Sequence, residues 1–490
     1  MSAQTAARRP APAMAVAEAR ALPAADLLAQ LAGILGAAGM LTASADCAPY
    51  AQGARYGQGQ AAAVLRPATA EQAVAVLALL HANGAPFVPQ GANTGLVAAA
   101  TPDASGQQFV FSLDRLKGAI VIDAAERTAT VGAGVRLSEL NDAAAVHGLY
   151  FPIDLSADPS IGGMIASNTG GARLIKYGDV RANLCAVDAW LPGADGVIGF
   201  GSPLRKNNTG VDFKHLLCGT GGAFGVVLGA TVRLHPLAAQ RATALVVPAS
   251  SEAVMPLLAA LERELPEFIA SVEGMSQAAM RAVFSNVPAV RNPFPDGEVP
   301  PYALLVELGT ALPARRLALE AVLQDALGEM MEHGIVADAL FGDEDMLWSL
   351  RHGISEALRH EGRVIAFDIA LPRKEWAPFR AWGEEWLSAS HPGVRICDFG
   401  HVADGGLHYN LVAPKSGPLA LDDEAVAELR TTLLDAVVRR FQGSFSAEHG
   451  IGPYNQAYYQ RYTPAPVRRL AGELQQLMMP ALRCRNVRFD

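Results

Sequence analysis

The sequence predicts an α+β protein of several units, and three observations carry that prediction. Segments with helical spacing of apolar residues alternate irregularly with short strand-like runs, and no regular strand–helix–strand repeat appears. Residues 57–236 are connected by loops of Gly, Ser, Thr and Asn, whereas from about residue 239 strands alternate with long helices. At 490 residues the chain is long enough for roughly two or three cores. The expected boundaries are an N-terminal tail and helical segment at 1–56, domains at 57–238 and 239–415, and a C-terminal segment at 416–490.

Taken in order, residues 1–22 are rich in Ala and Pro and read as a poorly ordered tail, although Arg8, Arg9 and Arg20 would also suit a transit segment. Leu27, Leu28, Leu31, Ile34 and Leu35 give a helix over 24–40. A helix over 71–83 leads through Gly84-Ala85-Pro86 into a strand at 87–89 and a first Gly-rich loop at 90–95. Strands are expected at 108–112, 120–123 and 128–133, then a helix over 137–147 closed by Gly148. The Gly-rich blocks at 161–171 and 219–227 read as loops, the second running into a strand at 228–234. Beyond residue 239, strands are expected at 242–247, 302–308, 364–369 and 395–399. Helices are expected over 251–264, 313–333, 373–389, 422–441 and 464–479.

Composition excludes some functions. A net charge of -9 argues against nucleic acid as a partner. No apolar run reaches the roughly 20 residues of a membrane helix. Cys47, Cys185, Cys218, Cys397 and Cys484 are widely spaced and odd in number, so reduced thiols in a cytoplasmic protein are expected.

Three Gly-rich loops in one domain point to a large anionic ligand, because glycine lets backbone N–H groups approach phosphate oxygens. The nicotinamide-type signal is missing: no G-x-G-x-x-G follows a strand, and Phe224 stands where the third glycine would be. Near the C-terminus lie G-H-V-A-D-G-G-L-H-Y-N (Gly400 to Asn410) and S-A-E-H-G-I-G (Ser446 to Gly452). Asp404-Gly405 is a favoured two-residue hairpin turn, which would set His401 directly opposite His408 on one face. With Glu448 the two imidazoles offer an N/N/O metal site with an open position, although two hydrogen-bonded histidines beside a turn would read the same way.

P-Q-G-A-N-T-G-L (Pro89 to Leu96) resembles the pyrophosphate loop of the vanillyl-alcohol oxidase superfamily of flavoproteins. F-P-I-D-L-S (Phe151 to Ser156), I-G-G…N-T-G-G (Ile161 to Gly171), Y-G-D-V-R (Tyr177 to Arg181), K-N-N-T-G-V-D-F-K-H-L (Lys206 to Leu216) and the Gly219 block follow in that superfamily's order. The resemblance is to its FAD-linked D-2-hydroxyacid dehydrogenase branch, and it runs from about Gly57 to Gly452.

That resemblance implies a two-part FAD-binding domain of the PCMH type at 57–238, an α+β substrate (cap) domain at 239–415 and a C-terminal helical segment returning to the flavin. It implies non-covalent FAD, since Pro89 to Leu96 holds neither His nor Cys. The FAD contacts it implies are Pro89, Gln90, Gly91, Ala92, Asn93, Thr94, Gly95, Leu155, Ile161, Gly162, Gly163, Asn168, Thr169, Gly170, Gly171, Gly225 and Val227. His401, His408 and Glu448 become ligands of a divalent ion, zinc by expectation, with His449 the catalytic base beside the substrate. Arg351 would take the substrate carboxylate, with Ser355 one turn on and Asn410 nearby. The implied reaction oxidises a D-2-hydroxy acid to a 2-oxo acid with hydride passing to flavin N5, and a quinone, cytochrome or electron-transfer flavoprotein takes the electrons. A peripheral place at the inner membrane and a homodimer stay open, as do an oxygen-using oxidase and a flavin-free metal hydrolase.

Three departures qualify the substrate. Ala366 stands where hydroxyglutarate enzymes show a lysine, leaving Arg363 or Lys374 as substitutes. The family's S-E-G-T-L-G reads G-T-G-G-A-F-G here, and Asn455 replaces a usual lysine or arginine.

Overall fold

Three sheets carry the architecture of the computed structural model, which describes residues 24–194, 196–480 and 486–490. The expected N-terminal tail and Cys484 lie outside those residues. The first sheet orders Met40–Leu41, Ala63–Leu65, Phe109–Ser112 and Phe87–Gln90, the last three parallel. Beside it, Val121–Asp123, Thr128–Gly132, Val226–Arg233, Leu184–Trp190 and Ile198–Gly201 form an antiparallel sheet. One core, including Leu31, Leu77, Phe87, Phe111, Ile165 and Trp190, joins the two.

Helix Ala70–Ala82 shows how local chemistry builds this half. Thr69 caps it by accepting from Gln72 N, and Ala73, Val76, Leu77 and Leu80 bury one face at helical spacing. The block at 161–171 is not all loop: Ile161–Ser167 is helical. Ser160 caps it, Ile161, Met164 and Ile165 are buried, and Asn168 closes it in the left-handed conformation at φ 52. Burial and capping outweigh the roughly 1 kcal/mol each glycine costs in a helix.

The second half is an antiparallel sheet of eight strands. Its order is Val336–Phe341, Gln240–Pro248, Tyr302–Thr310, Ile269–Ser276, Arg395–His401, Gly406–Ala413 and Arg363–Ile365, with Asp368–Ala370 also on Gly406–Ala413. The single strand expected at 364–369 is therefore two, broken at Ala366–Phe367, where Ala366 O accepts from Arg430 Nη1. Helices Val254–Glu264, Leu319–Glu332, Gln277–Asn286, Glu344–Glu361 and Trp376–Ser390 accompany this sheet. The expected helix over 422–441 is Asp423–Asp435 followed by a π-helical turn, Ala436–Arg440.

The halves are tied by charge at the segment after Gly171. Arg173 pairs with Asp154 at 3.0 Å and with the buried Glu307 at 2.8 Å. Lys176 Nζ donates to Glu267 O, Phe268 O and Gly309 O. The same contacts place the glycine loops of the first half against the sheet of the second.

Candidate active site

Between the halves lies a cavity of about 450 Å³. Its first wall includes Pro89, Gly91, Ala92, Asn93, Thr94, Gly95, Leu155, Gly162, Gly163, Thr169, Gly171, Gly225 and Val227. Its second wall carries Arg351, Ser355, His401, His408, Asn410, Glu448 and His449.

The loop after strand Phe87–Gln90 supplies the anion-binding chemistry. Among the described residues, none of the backbone N–H groups from Gly91 to Leu96 donates a backbone hydrogen bond. These free donors on a cavity wall fit the diphosphate of a flavin nucleotide. Gly162 N and Gly163 N are committed instead to Ala133 O and Ser160 Oγ. Their value is close approach: a Cβ at Gly162 would lie 2.7 Å from Ala133 Cβ, and one at Gly91 would lie 2.2 Å from Ser160 Oγ. Gly91→Ala therefore disturbs the cap that seats this loop. We expect a folded protein with FAD affinity reduced about fivefold or more, the roughly 1 kcal/mol or more that cap loss costs, read by absorbance of the flavin retained after gel filtration.

Four of the expected FAD contacts do not reach the wall. Gln90 is buried and donates to Tyr50 O and Ala100 O at 2.8 and 2.7 Å, so it holds the loop from behind. Ile161 packs into the core. Asn168 bonds Asp179 Oδ2 at 2.7 Å and Arg181 N at 3.0 Å. Gly170 packs against Leu174, where a Cβ would lie 2.9 Å from Leu174 Cδ1.

The histidine hairpin forms with a different register. Strands Arg395–His401 and Gly406–Ala413 are joined by the four residues 402–405, with Gly405 at φ 85 and Asp404 Oδ1 accepting from Gly406 N. Phe399, not His401, is opposite His408. The slip is two residues, so both imidazoles keep the same face and meet diagonally with ring centroids 5.3 Å apart. Glu448 Oε1 lies 3.4 Å from His408 Nε2 and 3.7 Å from His401 Nε2. Ligand atoms around a tetrahedral zinc with bonds of about 2.0 Å stand about 3.3 Å apart, so Glu448 lies at a compatible distance from each imidazole.

A second grouping overlaps this one: ligand atoms of Asp368, His408, Glu448 and His449 all lie within 4.8 Å of one another. Asp368 Oδ2 is already engaged, accepting from the backbone N–H of Ala447, Glu448 and His449 at 3.1, 3.1 and 2.8 Å. That carboxylate folds the E-H-G segment and stands 3.5 Å from His449 Nδ1. His401 is the better second imidazole, because its Nδ1 bonds the buried Glu273 at 2.7 Å, the arrangement that orients metal-bound histidines.

Burial and charge pull the group's titrations apart. Burial raises the Glu448 carboxyl, but the neighbouring His401 and His408 outweigh it and hold it well below the usual range. Burial likewise raises Glu273, and His401 and Arg351 bring it down to about 2. Against the same burial Glu273 and Glu448 push His401 up, whereas burial carries His408 down. Glu273 and Glu448 are thus both held as carboxylates beside the two imidazoles.

Arg351 projects from helix Glu344–Glu361, its guanidinium 4.6 Å over the Phe399 ring and its Nε bonded to Glu273 Oε2 at 2.6 Å. Neither expected substitute for the missing lysine reaches the cavity. Arg363 bonds Leu421 O and Asp423, and the Lys374 side chain is 76% exposed. Reasoning from sequence missed Glu273 and Asp368, and also Arg55 and Arg430, which line a small chamber beside His449. Asp368 had a signal in its position within F-D-I-A-L-P; the others had none.

The model of the FAD binding domain family matches residues 61–198, and that of the C-terminal domain of FAD linked oxidases matches residues 237–472. The chain is 34% identical over 411 residues to a D-2-hydroxyglutarate dehydrogenase of Xanthomonas citri pv. viticola, covering 81% of this chain and 82% of the relative. It is 30% identical over 394 residues to a D-lactate dehydrogenase of Archaeoglobus fulgidus, covering 79% and 82%. The solved structure of p-cresol methylhydroxylase with substrate bound superposes with a TM-score of 0.70 at 17% identity, covering 93% of this chain and 95% of that one, which shows a shared fold. A flavin-free hydrolase does not fit these matches. The free N–H cradle, the order of the glycine motifs and the sequence relatives agree: the chain belongs to the FAD-linked D-2-hydroxyacid dehydrogenase family of flavoprotein oxidoreductases.

Proposed function

We propose that the protein oxidises a D-2-hydroxy acid to its 2-oxo acid with a divalent ion, zinc by preference, on His401, His408 and Glu448 and with His449 as base. The observation that carries this reading is that Arg351, His449 and the His401–His408–Glu448 group share one wall of the cavity, facing the N–H cradle of Gly91 to Leu96. Arg351 keeps its terminal nitrogens for the substrate carboxylate, because Nε is engaged by Glu273. His449 receives the hydroxyl proton, held in place by the three backbone bonds to Asp368. A bound ion would supply Lewis acidity at the hydroxyl. FAD supplies the two-electron acceptor for the hydrogen leaving C2. Incubating the protein with an acid and an acceptor dye should yield one 2-oxo acid per two electrons from D-enantiomers only; turnover of L-enantiomers at equal rate would refute it.

For the substrate, a side chamber of about 40 Å³ adjoins His449 and is lined by Arg55, Phe367, Arg430, Tyr454 and the small Ala366. Arg430 lies 4.8 Å over Phe367 and 5.1 Å over Tyr454 and donates to Ala366 O; neither it nor Arg55 has an ion pair among the described residues. Two guanidiniums without a carboxylate partner favour a second acidic group, in line with the hydroxyglutarate of the bacterial relative's name. Arg55→Gln should lower the ratio of kcat/KM for D-2-hydroxyglutarate to that for D-lactate by about tenfold or more, the worth of one charged hydrogen bond. An unchanged ratio removes the chamber from substrate selection. The electrons are proposed to leave through a quinone, a cytochrome or an electron-transfer flavoprotein, with stopped-flow reoxidation in air separating these from oxygen. No helix among the described residues is long and apolar enough to cross a membrane.

A further inference from the structure

Glu273 sits at the centre of strand Ile269–Ser276 and is 0% exposed. Its two oxygens are divided between two functional groups. Oε1 accepts from His401 Nδ1 at 2.7 Å and Oε2 from Arg351 Nε at 2.6 Å. Sheet register fixes the first bond, since Glu273 is the direct cross-strand partner of His401. The second is fixed by helix Glu344–Glu361, which lays the Arg351 guanidinium on the Phe399 ring two residues before His401. In each partner the nitrogen engaged is the one turned from the working end: Nε2 of His401 is left near Glu448, and the terminal fork of Arg351 is left on the cavity wall.

We propose that Glu273 is a positioning residue that couples the substrate-carboxylate arm of the site to its metal arm. It holds His401 as the tautomer with hydrogen on Nδ1, so that Nε2 is the atom offered to an ion. It holds Arg351 by Nε, so that the two terminal nitrogens are offered together to a carboxylate. One buried carboxylate thereby sets the position of both arms. A burial of this kind is stable only while both partners remain, because an unpaired charge in the interior is costly. The inference rests on the functional reading above for what the arms bind.

The test is Glu273→Gln in the FAD-loaded protein. An amide accepts at only one of its two atoms, so whichever way it turns its NH₂ faces an N–H, and the charge that serves both arms is gone. Zinc affinity should fall about 10–100-fold, and oxalate, titrated against the flavin absorbance as a carboxylate probe, should bind at least about tenfold more weakly, the loss of a charge-assisted bond. Saturating zinc should restore kcat and leave KM high. A folded variant with zinc and oxalate affinities both within about twofold of the natural protein's, altered only in melting temperature, would overturn the proposal, as would a change confined to one arm. Should the variant not fold, histidine nitrogen NMR of the zinc-loaded natural protein decides: hydrogen on His401 Nδ1 is expected, and hydrogen on Nε2 with Nδ1 bare overturns the assignment. These readouts need no turnover. Failure of every hydroxy acid to reduce the natural protein would count against the proposed function and leave the Glu273 result standing.

Discussion

Replacing His449 with alanine leaves FAD bound and slows flavin reduction by a D-2-hydroxy acid by roughly 10²–10⁴-fold, the usual contribution of a general base. The expectation rests on position. His449 lines the cavity with Arg351 and Glu448, and its ring stacks near that of His408 at 5.9 Å between centroids. Its backbone N–H, with those of Ala447 and Glu448, is tied to Asp368 Oδ2, so the imidazole is presented by a rigid loop. The substitution removes no core contact and no group of the N–H cradle, so flavin content and melting temperature should hold. Single-turnover stopped-flow measurement separates the step from reoxidation. Reduction at the natural rate in His449→Ala would remove His449 from the chemistry.

Glu448→Gln is expected to have the second large effect. Glu448 is the only carboxylate of the three expected ligands, and its charge stands against two buried imidazoles. A neutral amide at this position removes the only anion of the ligand set, so the variant should purify without metal. Activity should fall about 10³-fold, corresponding to about 4 kcal/mol of lost Lewis-acid assistance. Dialysis of the natural protein against a chelator should reproduce the loss, and added zinc should reverse it only where Glu448 is intact. Metal analysis beside flavin absorbance reads both. A metal-free protein with full activity would show that the imidazoles and Glu448 serve another purpose.

The sequence made much of this arrangement legible, for identifiable reasons. The glycine loops and the E-H-G segment are local: backbone that must approach a ligand closely leaves glycines in the chain itself. Helix Ala70–Ala82 announces itself through its periodicity and Thr69 cap. Strand Ile269–Ser276 did not, because all eight residues are buried and a glutamate stands at its centre, so neither alternation nor an apolar run marks it. That glutamate is compensated by His401 and Arg351, 128 and 78 residues away. The hairpin register escaped for the opposite reason. Asp404-Gly405 is a strong turn signal, yet Asp404 instead caps Gly406 N within a four-residue connection, and a slip of two leaves every side chain on its expected face. The two histidines therefore meet on one face, as expected, through a turn geometry that is not the one expected. The glycine block at 161–171 was read as loop because its glycines outweighed Ile161, Met164 and Ile165, which are helical and buried. Arg55 and Arg430 carry no local mark, since only the fold brings them beside Ala366.

Anaerobic titration of the purified, metal-replete protein with D-2-hydroxyglutarate and with D-lactate, followed at the oxidised-flavin absorbance band, tests the central claim most directly. The account predicts full bleaching by one equivalent of a D-2-hydroxy acid, with an equal amount of 2-oxo acid formed and no bleaching by the L-enantiomer. A flavin that stays oxidised with every D-2-hydroxy acid, in protein carrying both FAD and metal, would contradict it.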